Sequence, residues 1–164
     1  MEMNTDEVPD KVFCYSDDGD IMRALGCLTF EAAHFEGAIE SAYEAVAAVA
    51  ANDIDVSAAH ALTLSNKVKL CAKLLKRGVV TCPNLVEMID FLRHAEQLIR
   101  GRNIAIHGRL YQLFDGPLMR ASTKHSAHVP ASSAEMYDLA TALRIGSANL
   151  SLIALYAAPT AQAQ

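Results

Sequence analysis

DIMRALGCLTFEAAHFEGAIESAYEAVAAVAAND, residues 20–53, places Ile21, Leu25, Leu28, Ala32, Phe35, Ile39, Ala42, Val46 and Val49 at spacings of four and three. This repeat matches the 3.6-residue turn of an α-helix, so one unbroken apolar stripe runs along a helix of roughly 30 residues, longer than an average globular one. Asp18 or Asp20 can cap its start and Asn52-Asp53 can end it.

Three further segments follow the same rule. A second helix is predicted from near Asp55 or Ser57, with Ala61, Leu64, Val68, Cys71 and Leu75 on one face and Gly78 as its stop. Pro83 suits a first helical turn, so a third helix begins near Cys82 and turns Leu85, Ile89, Leu92, Ala95, Ile99, Ile106 and Leu113 to the core, ending at Asp115-Gly116-Pro117. The polar stretch to Ser133 reads as a long loop. Ser132 with Glu135 forms a capping box for a fourth helix, with Met136, Leu139, Ala140, Leu143, Ser147, Leu150 and Ile153 on one side. No alternating strand pattern competes, so the expected fold is all-α: an antiparallel four-helix bundle over residues 20–158, between a flexible segment 1–19 and a disordered tail 159–164.

Composition narrows the function classes. A chain of 164 residues suits one domain with a sizeable core. Its four cysteines, Cys14, Cys27, Cys71 and Cys82, form no C-x-x-C pair, which argues against a zinc ribbon, a redox pair or a disulfide scaffold and fits a reducing cytoplasm. The acidic N-terminus lacks the basic and apolar regions of a signal peptide. The nearest approach to a membrane span, 145–158, is broken by Ser and Asn, so a protein without membrane contact is expected. A formal charge of −5 opposes polyanion binding over the whole surface. Residues 60–112 reverse that balance locally, with Lys67, Lys69, Lys73, Lys76, Arg77, Arg93, Arg100, Arg102 and Arg109 against Glu87, Asp90 and Glu96.

Within the third helix, Arg102-Asn103-Ile104-Ala105-Ile106-His107-Gly108 interrupts the apolar pattern with a guanidinium, an amide and an imidazole. An unpaired charge in a protein interior costs several kcal/mol. The position is therefore a paired core site, a subunit interface or a working site. At about 100° per residue, Asn103 and His107 lie about 40° apart, with Arg100 a turn before and Tyr111 a turn after. Gly101 and Gly108 bracket the group and suggest a close approach by another backbone or a ligand. These residue types suit phosphodiester chemistry. An imidazole exchanges protons near neutral pH, a permanent guanidinium stabilises developing charge on phosphate oxygens, and Asn103 can orient the hydroxyl or fix the ring tautomer. With RNA the 2′-hydroxyl is the nucleophile and no metal is needed. The architectural alternative is a satisfied network of Arg102 and His107 with Glu36 or Glu96 that fixes helix register or a dimer. Arg120 to His125 repeats the gap of Arg102 to His107 but falls in the polar segment. His125 and His128 could ligate a metal, but a third ligand is lacking and no metal site is expected.

The long first helix with its Phe35-Glu36 step and the R-N-x-x-x-H-G run at 102–108 resemble the HEPN superfamily, whose signature is an arginine, four to six residues, then a histidine. The resemblance covers about residues 20–157, with only the motif being specific. It implies a helical bundle acting as a metal-independent endoribonuclease without a cofactor, a homodimer that brings two arginine–histidine pairs together, and catalytic positions at Arg102, Asn103 and His107. It also implies a setting in toxin–antitoxin or stress and defence systems, with a cognate antitoxin or other protein as partner. The toxin subgroup often has a tyrosine two places after the histidine, where this chain has Arg109, with Tyr111 two further on. Arg100, Arg109, Tyr111, Lys69 and Lys73 are the expected RNA-binding residues. Other HEPN-like domains are non-catalytic modules for dimerisation or for nucleotide or protein binding.

Overall fold

The computed structural model describes residues 20–50, 62–80, 84–112, 116, 118–122 and 127–157. Four helices account for most of them: α1 (Ile21–Val49), α2 (Leu64–Lys76), α3 (Leu85–His107) and α4 (Ser133–Ala157). Three short strands, β1 (Arg109–Tyr111), β2 (Met119–Ser122) and β3 (Ala127–Pro130), lie between α3 and α4.

The apolar stripe of α1 becomes the spine of the core. Ile21, Leu28, Ala32, Phe35, Ile39, Ala42 and Val46 are buried, joined by Ala24, Tyr43 and Ala47, while Leu25 is only partly buried and Val49 is exposed. The helix stops at Val49, and the expected Asn52-Asp53 end lies outside the described residues. Asp20 stands at its N-cap without a side-chain cap bond; its carboxylate instead accepts a 2.7 Å hydrogen bond from the Tyr137 hydroxyl of α4. α2 begins at Leu64 rather than near Asp55 or Ser57, because Thr63 is extended (φ −67°, ψ 156°) and caps the helix, its hydroxyl accepting from the Asn66 amide. Gly78, at φ 73°, ends that helix in the left-handed region that costs glycine nothing. The Ser132 hydroxyl accepts from the Glu135 amide at 3.3 Å, the serine half of the expected capping box.

α4 fills the space beside α1 with Met136, Ala140, Leu143, Leu150, Ile153 and Ala157. Gly146 allows the closest approach, since a Cβ there would stand 2.8 Å from the Phe35 ring and 3.1 Å from Leu98. By length and composition α4 could also cross a bilayer, with a mean hydropathy of 1.3. In this structure one stripe of it faces the core, while Ile145, Leu152, Leu155 and Tyr156 are exposed.

Three further expectations are corrected. The third helix ends at His107 rather than near Asp115, because Gly108 is extended (φ −73°, ψ 141°) and β1 starts at once. The segment read as a long loop contains an antiparallel meander, β1-β2-β3, with Leu110 opposite Arg120 and Arg120 opposite Val129. Its strands have only three or four residues, too few for alternation to stand out from polar surroundings. The helices are not all antiparallel to their neighbours. Asp20 meets Tyr137 near the starts of α1 and α4, and Phe35 meets Gly146 midway, so these two run in the same direction. Periodicity specifies which face of a helix is buried and is silent on its direction.

Candidate functional site

Arg102, on the last two turns of α3, gathers the polar groups of its neighbourhood. One terminal nitrogen, Nη1, donates to Asn103 Oδ1 at 2.7 Å and stands 3.4 Å from His107 Nε2. The other, Nη2, forms an ion pair with Glu36 Oε1 of α1. The five-residue gap to His107 is bridged because the arginine side chain is long enough to wrap around the helix, and because α3 still has helical geometry at His107. An arginine can only donate, so the His107 nitrogen facing it is the acceptor in that contact.

The cluster grades from inside to outside. The Arg102 side chain is 16% exposed and that of Glu36 33%, and His107 is exposed. Burial lowers the pKa of the Arg102 guanidinium from its ordinary value, and its Nε is buried without a hydrogen-bond partner among the described residues. The group thus holds a permanent cation against the core with one face turned toward an accessible imidazole. Of the two acidic partners considered for Arg102, Glu36 is the one used. Glu96 pairs with Lys69 at 3.6 Å instead.

One turn along α1 from Glu36, Glu40 meets Lys67 of α2 at 2.5 Å. Lys67 is 4% exposed and its ammonium lies 5.6 Å from the centre of the Tyr43 ring. Burial is the main cause raising the pKa of the Tyr43 hydroxyl, whose oxygen has no hydrogen-bond partner among the described residues. Glu36 and Glu40 therefore tie α1 to α3 and to α2 respectively. Lys67 gave no sign of this in sequence beyond its place beside Val68 on the buried face of α2.

Beyond His107 the backbone is held closely. A Cβ on Gly108 would overlap the Ile104 carbonyl oxygen, stand 2.6 Å from Arg120 Cγ and 3.2 Å from the Ala121 carbonyl. This close approach explains Gly108; Gly101 meets only ordinary contact with Leu139, at 3.4 Å. Arg120, on the middle strand, is 6% exposed, and its Nε and Nη1 are buried without partners among the described residues. Burial lowers its pKa, and the Glu135 carboxylate opposes that shift. On the opposite face of the meander, Arg109 is exposed and the Tyr111 hydroxyl lies 2.9 Å from His128 Nδ1. The sequence left Arg120 and His128 in the polar segment; only strand pairing brings Arg120 beside the end of α3 and His128 to the Tyr111 hydroxyl.

The remaining expected residues occupy one continuous surface. Arg93, Glu96, Arg100, Asn103 and His107 are spaced by three and four residues and so share one face of α3. At the far end of that face, Lys69, Lys73, Lys76 and Arg77 of the α2 region join Arg93 and Glu96 around a groove of about 400 Å³. Lys73 and Arg100 are exposed. Arg102, Asn103 and His107 are thus brought together, Arg100 and Arg109 flank them, Tyr111 is turned to His128, and Lys69 and Lys73 lie in the groove. No group of three or more His, Cys, Asp or Glu residues that could hold a metal occurs among the described residues. No family model, curated protein or solved structure matches this chain.

Proposed function

We propose that this chain is a HEPN-like helical bundle acting as a cytoplasmic, metal-independent endoribonuclease in homodimeric form. The observation that carries the reading is the Arg102 guanidinium, in contact with both Asn103 Oδ1 and His107 Nε2, where the imidazole is open to solvent. In this reading His107 exchanges a proton with the reacting groups, a contribution of typically 10² to 10⁴ in rate. Arg102 stabilises the charge that grows on the phosphate oxygens, and Asn103 orients the attacking 2′-hydroxyl. The basic groove of Lys69, Lys73, Lys76, Arg77 and Arg93 supports local RNA binding on a chain of net negative charge. One well-placed imidazole per motif is the physical reason to expect a second copy, and a cognate antitoxin is the expected partner in a toxin–antitoxin setting.

The test is an RNA-cleavage assay in EDTA on the wild-type chain and His107→Ala. Wild-type cleavage that falls at least about 100-fold in the variant is expected. Equal activity in the two, or none in the wild type on any RNA, overturns the reading.

The Glu36–Arg102 ion pair favours a second reading, a non-catalytic module in which the same residues hold α1 to α3 for dimerisation or for nucleotide or protein binding. There Arg102→Ala and His107→Ala would lower the melting temperature or dissociate a dimer and have no enzymatic consequence.

A further inference from the structure

We propose that the outer face of α1 is the surface through which two copies of this chain associate, Phe30 of each copy entering a groove on the other. Glu36 lies about 110° around α1 from the middle of that face, so the proposal is independent of the ribonuclease reading.

The groove runs between α1 and α4. Ala33, Gly37, Ala38 and Ser41 line it from α1 and Ser147 and Ser151 from α4, around a volume of about 530 Å³. A cavity of about 150 Å³ already accepts benzene. The Ser147 and Ser151 hydroxyls donate to the Leu143 and Ser147 carbonyls of their own helix, at 3.0 and 2.9 Å. An apolar group can therefore cover that wall without stranding a donor. Phe30 stands at the rim, 63% exposed, with its ring held edge to face against His34 at 4.5 Å between centroids. One face thus carries both an aromatic knob and a hole.

Two glycines point to an approach from outside. Gly26 and Gly37 lie inside α1, where each costs about 1 kcal/mol relative to alanine. Neither has a positive φ, and a Cβ on either would find nothing within 4 Å. The single chain gives no reason for glycine at these places. A second helix does, because small residues let two helix axes come within about 8 Å.

The pattern of the face identifies that helix as another α1. Arg23, Gly26, Phe30, Gly37, Ser41 and Glu44 are exposed and fall within an arc of about 60°. They are symmetric about one point, between Ala33 and His34: Phe30 and Gly37 stand equally far from it, as do Gly26 and Ser41, and Arg23 and Glu44. A two-fold axis through that point lays the second α1 antiparallel on the first. Phe30 then meets Gly37 of the other copy, and Arg23 meets its Glu44. Neither Arg23 nor Glu44 has an ion-pair partner among the described residues, so both charges are available for that exchange. Arg23 to Glu44 spans about 31 Å of helix; two helices about 10 Å wide cover about 600 Å² a copy over that length, or about 1,200 Å² together, which meets the size of a specific interface.

Sedimentation equilibrium on the full chain tests this. The wild type is expected to be a dimer. Phe30→Ala should raise its dissociation constant at least about 100-fold, since the ring is lost twice per dimer. Gly37→Leu should do the same with an unchanged circular-dichroism spectrum, because the space above Gly37 is open in the single chain. Arg23→Glu and Glu44→Arg should each weaken the dimer about tenfold at low salt, and the double variant should restore it. A monomeric wild type, a dimer that Phe30→Ala and Gly37→Leu leave intact, or a double variant as weak as the single ones overturns the proposal. A monomer that binds phosphatidylcholine vesicles through Phe30 also overturns it and gives the face to lipid. A dimer of the expected kind that cleaves no RNA upholds this proposal and overturns the ribonuclease reading alone.

Discussion

Arg102 divides its terminal nitrogens between Glu36 on one side and Asn103 and His107 on the other. Removing the Glu36 charge leaves a largely enclosed cation without its acidic partner. Breaking a fully buried pair costs about 3–5 kcal/mol, and the partial exposure of Glu36 reduces this. Glu36→Gln is therefore expected to destabilise by about 1–3 kcal/mol, a fall of roughly 3–10 °C in melting temperature for a chain of this size. Calorimetry or a circular-dichroism melt checks it, and an unchanged melting temperature would show that the ion pair is not supporting the fold. At this scale the motif residues were legible because polar types interrupt an apolar period. Arg120 was not, since nothing in a three- or four-residue strand reveals that its side chain will be enclosed.

At the scale of elements, the junction from α3 to β1 governs the candidate site. α3 delivers Asn103 and His107 on one face, and Gly108 then lets the meander lie against the last turn. The φ of Gly108 is one that any residue adopts, so the requirement is space. Gly108→Ala would drive a methyl into two backbone carbonyls and Arg120, groups that cannot yield as a flexible side-chain tip can. The expected loss is about 1–3 kcal/mol, with the signals of β1 and β2 shifting most in an amide NMR spectrum. Unshifted strand signals would mean the junction relaxes freely. Glycine within a helical pattern signalled the close approach; the identity of the approaching strand was invisible, because β2 lies more than ten residues away in sequence.

For the molecule as a whole, the buried interior sets an alkaline limit. Burial pushes the Cys71 thiol from its ordinary 9.0 up to about 12, and also raises the Tyr43 hydroxyl. Both groups are neutral when protonated, so the folded chain retains protons that the unfolded chain releases. Their contribution is fully present below pH 9 and is lost as pH rises toward 12, with a slope for Cys71 of up to about 1.4 kcal/mol per pH unit. Urea melts from pH 8 to 11 check this; Cys71→Ala should have a lower plateau and a shallower alkaline fall. A parallel pair of curves would count against the assignment to Cys71.

The sequence by itself determined the four helices, most of their buried faces and the arginine, amide and imidazole near the end of the third, because a 3.6-residue apolar period is a local property of the chain. Only tertiary structure decided that α1 and α4 run in the same direction, that Glu36 takes Arg102 while Glu96 takes Lys69, and that a meander carries Arg120 inward and turns Tyr111 to His128. These follow from contacts between residues remote in sequence, and side-chain periodicity holds no record of the partner that a buried or exposed face will meet.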